Sequence, residues 1–251
     1  MRYTEHHVSN VTHVISDALE GALALPKFQR PYVWDDKDVC DLLDSMLRGI
    51  PIGNLLLWGG WFRGANIPID RVRGVLDAPL KPNPTLILDG QQRLTALLIA
   101  SGEGSRYVWD ATTSIFSVGE PQLMNGIFPT GMLFNDYGIS RQMEPLYDAS
   151  EGVIIREDRQ RTYKDKKGKT RTYTENVVVS HTRNPEQERA HSYIEAFCKA
   201  RDVLRGTTIG SIVIAGEADV AFARETFRRL NRSGKPCHEA EVFKALECSE
   251  G

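Results

Sequence analysis

The sequence has no Cys-x-x-Cys pair, no His-x-x-x-His pair, and no apolar run near the roughly twenty residues that a membrane span needs. Its four cysteines, Cys40, Cys198, Cys237 and Cys248, are scattered. That excludes a zinc knuckle and a disulfide framework, and it fits a reducing, cytoplasmic setting. The six histidines form no ligand pair and none stands in an HNH-like nuclease pattern, so no metal site is expected. Charge of one sign is also lacking. The net charge is −2, so no global field draws the chain to nucleic acid or membranes, and any basic surface must be local. The start carries no secretory hydrophobic region. What remains is a chain of 251 residues, 41% hydrophobic and 25% charged, enough apolar material for one large domain or two small ones.

One stretch organises the rest. Residues 85–88 are a short apolar run of β type leading into Asp89-Gly90, after which Leu94, Leu97 and Leu98 follow helical spacing. Between strand and helix stand a carboxylate, a glycine, two amides and a guanidinium: Asp89, Gly90, Gln91, Gln92 and Arg93. Such a turn gathers free backbone N–H groups at the positive end of a helix dipole, which suits anions. Gly90 permits close backbone approach, and Arg93 offers a planar fork to phosphate oxygens. A plainer reading fits as well, with Asp89 merely capping a helix whose first turn is solvated. The residues by themselves leave both open.

Upstream, residues 12–20 fit a first helix capped by Thr12 or Ser16, and residues 23–25 fit a short strand. Phe28-Gln29-Arg30-Pro31-Tyr32-Val33-Trp34 mixes aromatic anchors with a polar pair. Arg30 precedes proline and is therefore extended, which lets Gln29 and Arg30 project into a neighbouring site. A helix starts at Asp35 or Asp36, buries Val39, Leu42, Leu43, Met46 and Leu47, and stops at Gly49 before Pro51. Residues 54–58 read as a buried strand, and 63–84 as a loop or loose hairpin. Residues 106–110 and 112–118 read as a hairpin, the rest of 102–150 as irregular with one short helix.

Residues 153–155 and 177–179 are strand-like. Between them Arg159, Arg161, Lys164, Lys166, Lys167, Lys169 and Arg171 make a basic β-ribbon with its tip near Gly168. Such a ribbon suits a nucleic-acid backbone; a solvated hairpin whose lysines confer only solubility is the competing reading. Asn184 caps a long helix to about Arg205, with Tyr193, Ile194, Phe197, Ala200, Val203 and Leu204 as its stripe. Residues 208–215 read as a strand. A helix over 219–230 then buries Val220, Ala223, Phe227 and Leu230 and exposes Arg224, Arg228 and Arg229. Asn231-Arg232-Ser233-Gly234-Lys235-Pro236 reads as an anion-binding nest or a C-cap, and a last helix spans 238–246. The polar tail reads as the end of a fragment.

Three ordered segments carry a resemblance. They are residues 28–34 with the helix ending in Leu47-Arg48-Gly49-Ile50-Pro51-Ile52-Gly53, the run Asp89-Gly90-Gln91-Gln92-Arg93-Leu94-Thr95, and Phe227 to Pro236. Over about 12–247 the chain is similar to the N-terminal domain family of GmrSD-type, modification-dependent restriction systems. The resemblance implies an α+β fold with a ParB/sulfiredoxin-like core: a mixed sheet, flanking helices and an inserted basic β-hairpin. It implies one domain over 1–251, with an insert at about 102–183 and C-terminal helices over 184–247.

In that family the Asp-Gly-Gln-Gln-Arg segment belongs to a nucleoside-triphosphate binding and hydrolysis site, resembling the phosphate loop that holds CTP in ParB relatives and ATP in sulfiredoxins. Carried over, Asp89, Gln91, Gln92 and Arg93 would be catalytic. Gln29, Arg30, Gly90, Asn231, Arg232 and Gly234 would line the pocket. The ligand would be GTP, ATP or CTP with Mg²⁺, Asp89 holding the cation or orienting water, and Gln91 or Gln92 placing the attacking water. The implied role is a nucleotide-hydrolysing sensor in a DNA-targeting phage-defence system. DNA and a nuclease domain or subunit are the implied partners; no membrane is involved, and the oligomeric state is left open. The family couples this domain to a C-terminal HNH nuclease, a pattern absent here, so DNA cleavage by this chain is not expected. Two other readings compete. One is a non-enzymatic DNA-binding module using Lys164, Lys166, Lys167, Lys169 and Arg171; the other is a ParB-like nuclease acting alone.

Overall fold

A computed structural model describes residues 4–27, 29–59, 67–74, 79–136, 139–164, 169–214 and 220–231. Its frame is a six-stranded mixed sheet. From edge to edge it runs β1 (Thr4–Asn10), β11 (Thr208–Ile214), β3 (Asn54–Trp58), β5 (Thr85–Asp89), β2 (Leu23–Pro26) and β4 (Ile69–Asp70). β2 and β5 are parallel, as are β3 and β11; the other three neighbouring pairs are antiparallel. The chain is thus an α+β protein.

Side chains alternate across a strand, and here both faces are apolar. Leu23, Leu25, Leu55, Leu57 and Ile87 enter one core; Ala24, Leu56, Trp58, Leu86 and Leu88 enter the other. The first core is closed by α1 (Val11–Leu19), α2 (Asp36–Leu47), α3 (Gln91–Ser101) and α6 (Pro185–Gly206). The second receives Ala223 of α7 (Val220–Asn231). Burying each large apolar side chain contributes roughly 1.5–3 kcal/mol, so a sheet covered on both faces fixes its central strands firmly.

Helix ends follow local chemistry. Asp35 forms a capping box with Asp38, and Asn184 does the same with Gln187, each satisfying orphan N–H groups. α1 starts one residue before the predicted span and is entered from Asn10 without a side-chain cap. Two elements carry no clear sequence signal. β1 is an exposed edge strand with a burial pattern almost devoid of alternation. α5 (Ile139–Ser150) holds Pro145 inside the helix, which disguises it as loop, although Met143 and Leu146 are fully buried. Val203 is 43% exposed, so the buried stripe of α6 is narrower than its periodicity suggests.

Residues 102–135 form a smaller sheet in the order β7 (Ile115–Val118), β6 (Tyr107–Asp110) and β8 (Ile127–Pro129), followed by α4 (Gly131–Phe134). Trp109 stacks on Phe128 with centroids 6.2 Å apart, and Phe128 meets Phe197 of α6 at 4.8 Å. Asp36, in the first turn of α2, accepts from the Tyr107 hydroxyl at 2.7 Å and pairs with Arg106. Burial and this carboxylate push the Tyr107 hydroxyl up to about 12. β9 (Val153–Lys164) and β10 (Thr170–Thr182) pair antiparallel as a two-stranded sheet of their own. Among the described residues no helix is long and apolar enough to cross a membrane.

Candidate functional site

Parallel pairing of β2 with β5 sets Leu23 against Thr85 and Ala24 against Leu86. Both strands therefore end at the same edge of the sheet, where the chain beyond Pro26 meets the chain beyond Asp89. β3 runs the other way, with Leu56 opposite Asp89, so the segment before it, Ile52-Gly53, arrives at that edge too. The carboxyl ends of sheet strands are where open α/β sheets form their crevices. Topology alone thus brings Gln29, Arg30 and residues 89–93 together.

Gly90 makes the turn. Its φ is +96°, and a Cβ there would lie 2.3 Å from Leu55 Cδ2, so the position excludes any side chain. Helix α3 begins at Gln91 with no side-chain cap on its first turn. Its leading N–H groups and the positive end of its dipole thus face the junction. Gly53, at φ +83°, clears room for the Arg93 guanidinium, which would lie 2.6 Å from an added Cβ.

The polar side chains stitch the three segments together. Gln29 Nε2 donates to the carbonyls of Ile87 at 3.1 Å and Leu88 at 2.7 Å. Gln92 Oε1 accepts from Val33 N–H at 2.9 Å, and its Nε2 donates to Pro31 O at 3.1 Å. Arg93 Nη1 donates to Ile52 O at 2.9 Å, and Nη2 meets Asp89 Oδ2 at 3.3 Å. Arg93 is 19% exposed and Asp89 47%, so the carboxylate is the half of the pair open to solvent. Burial pushes the Arg93 guanidinium below its ordinary value, and Asp89 pulls the other way. Arg30 is exposed beside these groups in sequence.

Five buried side-chain polar atoms among the described residues lack a hydrogen-bond partner. Three belong to these segments: Tyr32 Oη, Gln91 Oε1 and Thr95 Oγ1. Gln91 and Thr95 are four residues apart and so lie on one side of α3. Burial pushes the Tyr32 hydroxyl up, and the Arg73 guanidinium lies 5.6 Å from its ring centre. An unsatisfied buried polar atom costs about 1–3 kcal/mol, so a concentration of them marks a place where stability has been given up.

Sequence reasoning singled out Gln29, Arg30 and residues 89–93, all of which this junction gathers. It gave no site role to Gly53, Tyr32 or Thr95, although all three stand in the segments that carry the resemblance. Only the positive φ and the contact with Arg93 reveal Gly53, and only burial reveals the other two. Asn231 is the last residue of α7. Arg232, Gly234 and the last predicted helix lie outside the described residues, as do Phe28, Lys166, Lys167 and Gly168. Lys164, Lys169 and Arg171 are exposed on β9, β10 and the link between them. A separate groove of about 460 Å³ lies between the end of α2, the β6–β7 hairpin and α6, lined among others by Leu47, Arg48, Trp109 and Lys199. None of Gln29, Arg30 or residues 89–93 borders it.

Fold and junction together define an α+β domain organised around a polar strand-to-helix turn at the carboxyl edge of a mixed sheet. Over residues 11–247 the chain matches the family described as the N-terminal domain of the GmrSD restriction endonuclease, and it belongs to that family. It is also 38% identical over 103 residues to an uncharacterized protein of Methanocaldococcus jannaschii. That match covers 38% of this chain and 17% of the relative, so the chain spans less than a fifth of the curated protein it matches.

Proposed function

We propose that the junction of β5 and α3 holds and hydrolyses a nucleoside triphosphate, and that the domain uses this step as a switch in a DNA-targeting restriction system. The observation that carries the reading is Gln91 Oε1, buried and without a partner in the first turn of an uncapped helix. Phosphate oxygens would accept from the N–H groups after Gly90, with the dipole and Arg30 offsetting charge. Arg93, already bonded to Ile52 and Asp89, would add its charge from beneath. Gln92 is committed to the 31–33 backbone, which leaves Gln91 as the amide that receives a donor such as the attacking water. Asn231, Arg232 and Gly234 would close the far side.

Among the described residues no three His, Cys, Asp or Glu side chains gather as a metal site. One half-exposed carboxylate fits a Mg²⁺ held mainly by phosphate oxygens and water, with Asp89 as its protein ligand. Such an ion would supply charge neutralisation at the phosphates. A ParB/sulfiredoxin-like core, GTP, ATP or CTP as the nucleotide, DNA as the target and a separate nuclease domain or subunit as effector belong to the same reading.

Thermal-shift titration with GTP, ATP and CTP, with and without Mg²⁺, tests it. At a hundredfold excess over Kd the preferred nucleotide should stabilise by about 2.7 kcal/mol, a rise of roughly 5–10 °C for a chain of this size. No shift with any of the three would remove the proposal.

A further inference from the structure

We propose that one face of the β9–β10 ribbon is a stacking platform for unpaired bases of a DNA strand. The register sets Tyr163 opposite Arg171, Tyr173 opposite Arg161, and Glu175 opposite Arg159. Since side chains alternate along a strand, these six share one face. Gln160, Thr162, Lys164, Thr170, Thr172 and Thr174 share the other, so the two faces differ in kind. On the first face, tyrosines and arginines sit in a chequer, each ring directly across from a cation.

The two rings are 53% and 47% exposed, with centroids 6.1 Å apart at 66°. Arg161 Nε donates to Glu175 Oε2 at 2.7 Å, an ion pair on the same face of the ribbon as the rings. Charge selects the occupant. Residues 153–182 contain eight lysines and arginines against four acidic residues, whereas the whole chain has 31 against 33. The ribbon is thus a basic arm on a net acidic remainder, complementary to a phosphate backbone. A duplex would satisfy the arginines but offer the rings no base face. A single strand supplies phosphates for arginine and free π-faces for tyrosine together.

The tyrosine pair also has a structural use, since cross-strand pairs stabilise a two-stranded ribbon that has no core of its own. A binding measurement separates the two roles. The choice of DNA rests on the DNA-directed reading above, but neither the face nor the test depends on nucleotide.

Fluorescence anisotropy of the full chain should be followed with a labelled single strand of about twenty nucleotides and with the same sequence as blunt duplex. Titrations run between about 50 and 200 mM salt. The single strand should bind more tightly than the duplex. Tyr163→Leu with Tyr173→Leu should weaken it about tenfold or more, by the usual strength of base–aromatic stacking. Tyr163→Phe with Tyr173→Phe, which keeps both rings, should bind as the parent does. Arg171→Gln should flatten the salt slope by about one.

Equal affinity for single strand and duplex, or unchanged affinity in the leucine pair, overturns the platform while leaving DNA binding itself standing. No binding of either at low salt removes the DNA-directed reading with it. An RNA strand of the same sequence bound more tightly than DNA overturns the assignment to DNA.

Discussion

Gln92 binds the backbone of residues 31–33 through both ends of its amide, whereas the adjacent Gln91 keeps Oε1 buried and unpartnered. Two identical side chains therefore make opposite predictions. Replacing a buried unsatisfied polar group by an apolar one of similar shape is neutral or stabilising. Gln91→Leu should thus melt at or above the parent temperature while losing the nucleotide-dependent shift. If it instead melts lower and keeps the shift, Gln91 serves the fold alone. Gln92→Leu leaves Val33 N–H and Pro31 C=O without partners and should cost about 1–3 kcal/mol, read as a lower urea midpoint at unchanged slope. Gly90→Ala should be costly too. Its left-handed φ charges an alanine roughly 1–2 kcal/mol, and the clash with Leu55 comes on top. An alanine variant as stable as the parent would mean the turn can be rebuilt.

Elements are held together by a few charged clasps, and one has a clear pH signature. Asp136, after α4, pairs with Arg201 and accepts from Arg205 Nη1 at 2.8 Å, tying that segment to α6. These guanidinium groups hold its carboxyl down at about 2, well below the usual carboxylate range. A depressed folded value means that the clasp contributes fully above the unfolded value near 4 and is lost as pH falls towards 2. An acid titration should show Asp136→Asn to be less pH-dependent than the parent across that window; identical curves would show that the pairing adds nothing in solution.

Element-scale features were also the most legible in sequence, wherever local chemistry decides. Residues 54–58 and 85–89, the stop at Gly49 and the caps Asp35 and Asn184 could be read directly, because apolar runs and capping residues act over a few neighbours. α5 could not, because Pro145 argues locally for a loop and only the burial of Met143 and Leu146 overrides it. β1 could not either, since its strand state comes from pairing with β11 some two hundred residues away. The junction was half legible. Residues 89–93 announce themselves, but the proximity of Gln29 follows from the parallel β2–β5 pair and that of Ile52 from the antiparallel β3–β5 pair, neither of which any local pattern states.

At the scale of the whole molecule, the sheet that gathers the junction and the ribbon of β9 and β10 are built on different principles. The sheet is buried on both faces, and its register fixes which segments meet. The ribbon forms its own sheet, and none of residues 159–164 or 169–175 belongs to either core. Such an appendage should be separable. Asp158 and Asn176 face each other in the register, so residues 159–175 can be replaced by an Asn-Gly turn that closes a shorter hairpin. The shortened chain should unfold within about 2 °C of the parent, because none of the described residues it loses belongs to either core. It should keep the full nucleotide-dependent shift and lose the single-strand affinity. A large drop in melting temperature would show that the ribbon supports the fold. Loss of the nucleotide response with the melting temperature intact would instead mean that the arm and the β5–α3 junction work as one device, and DNA should then change nucleotide affinity by the same factor as nucleotide changes DNA affinity.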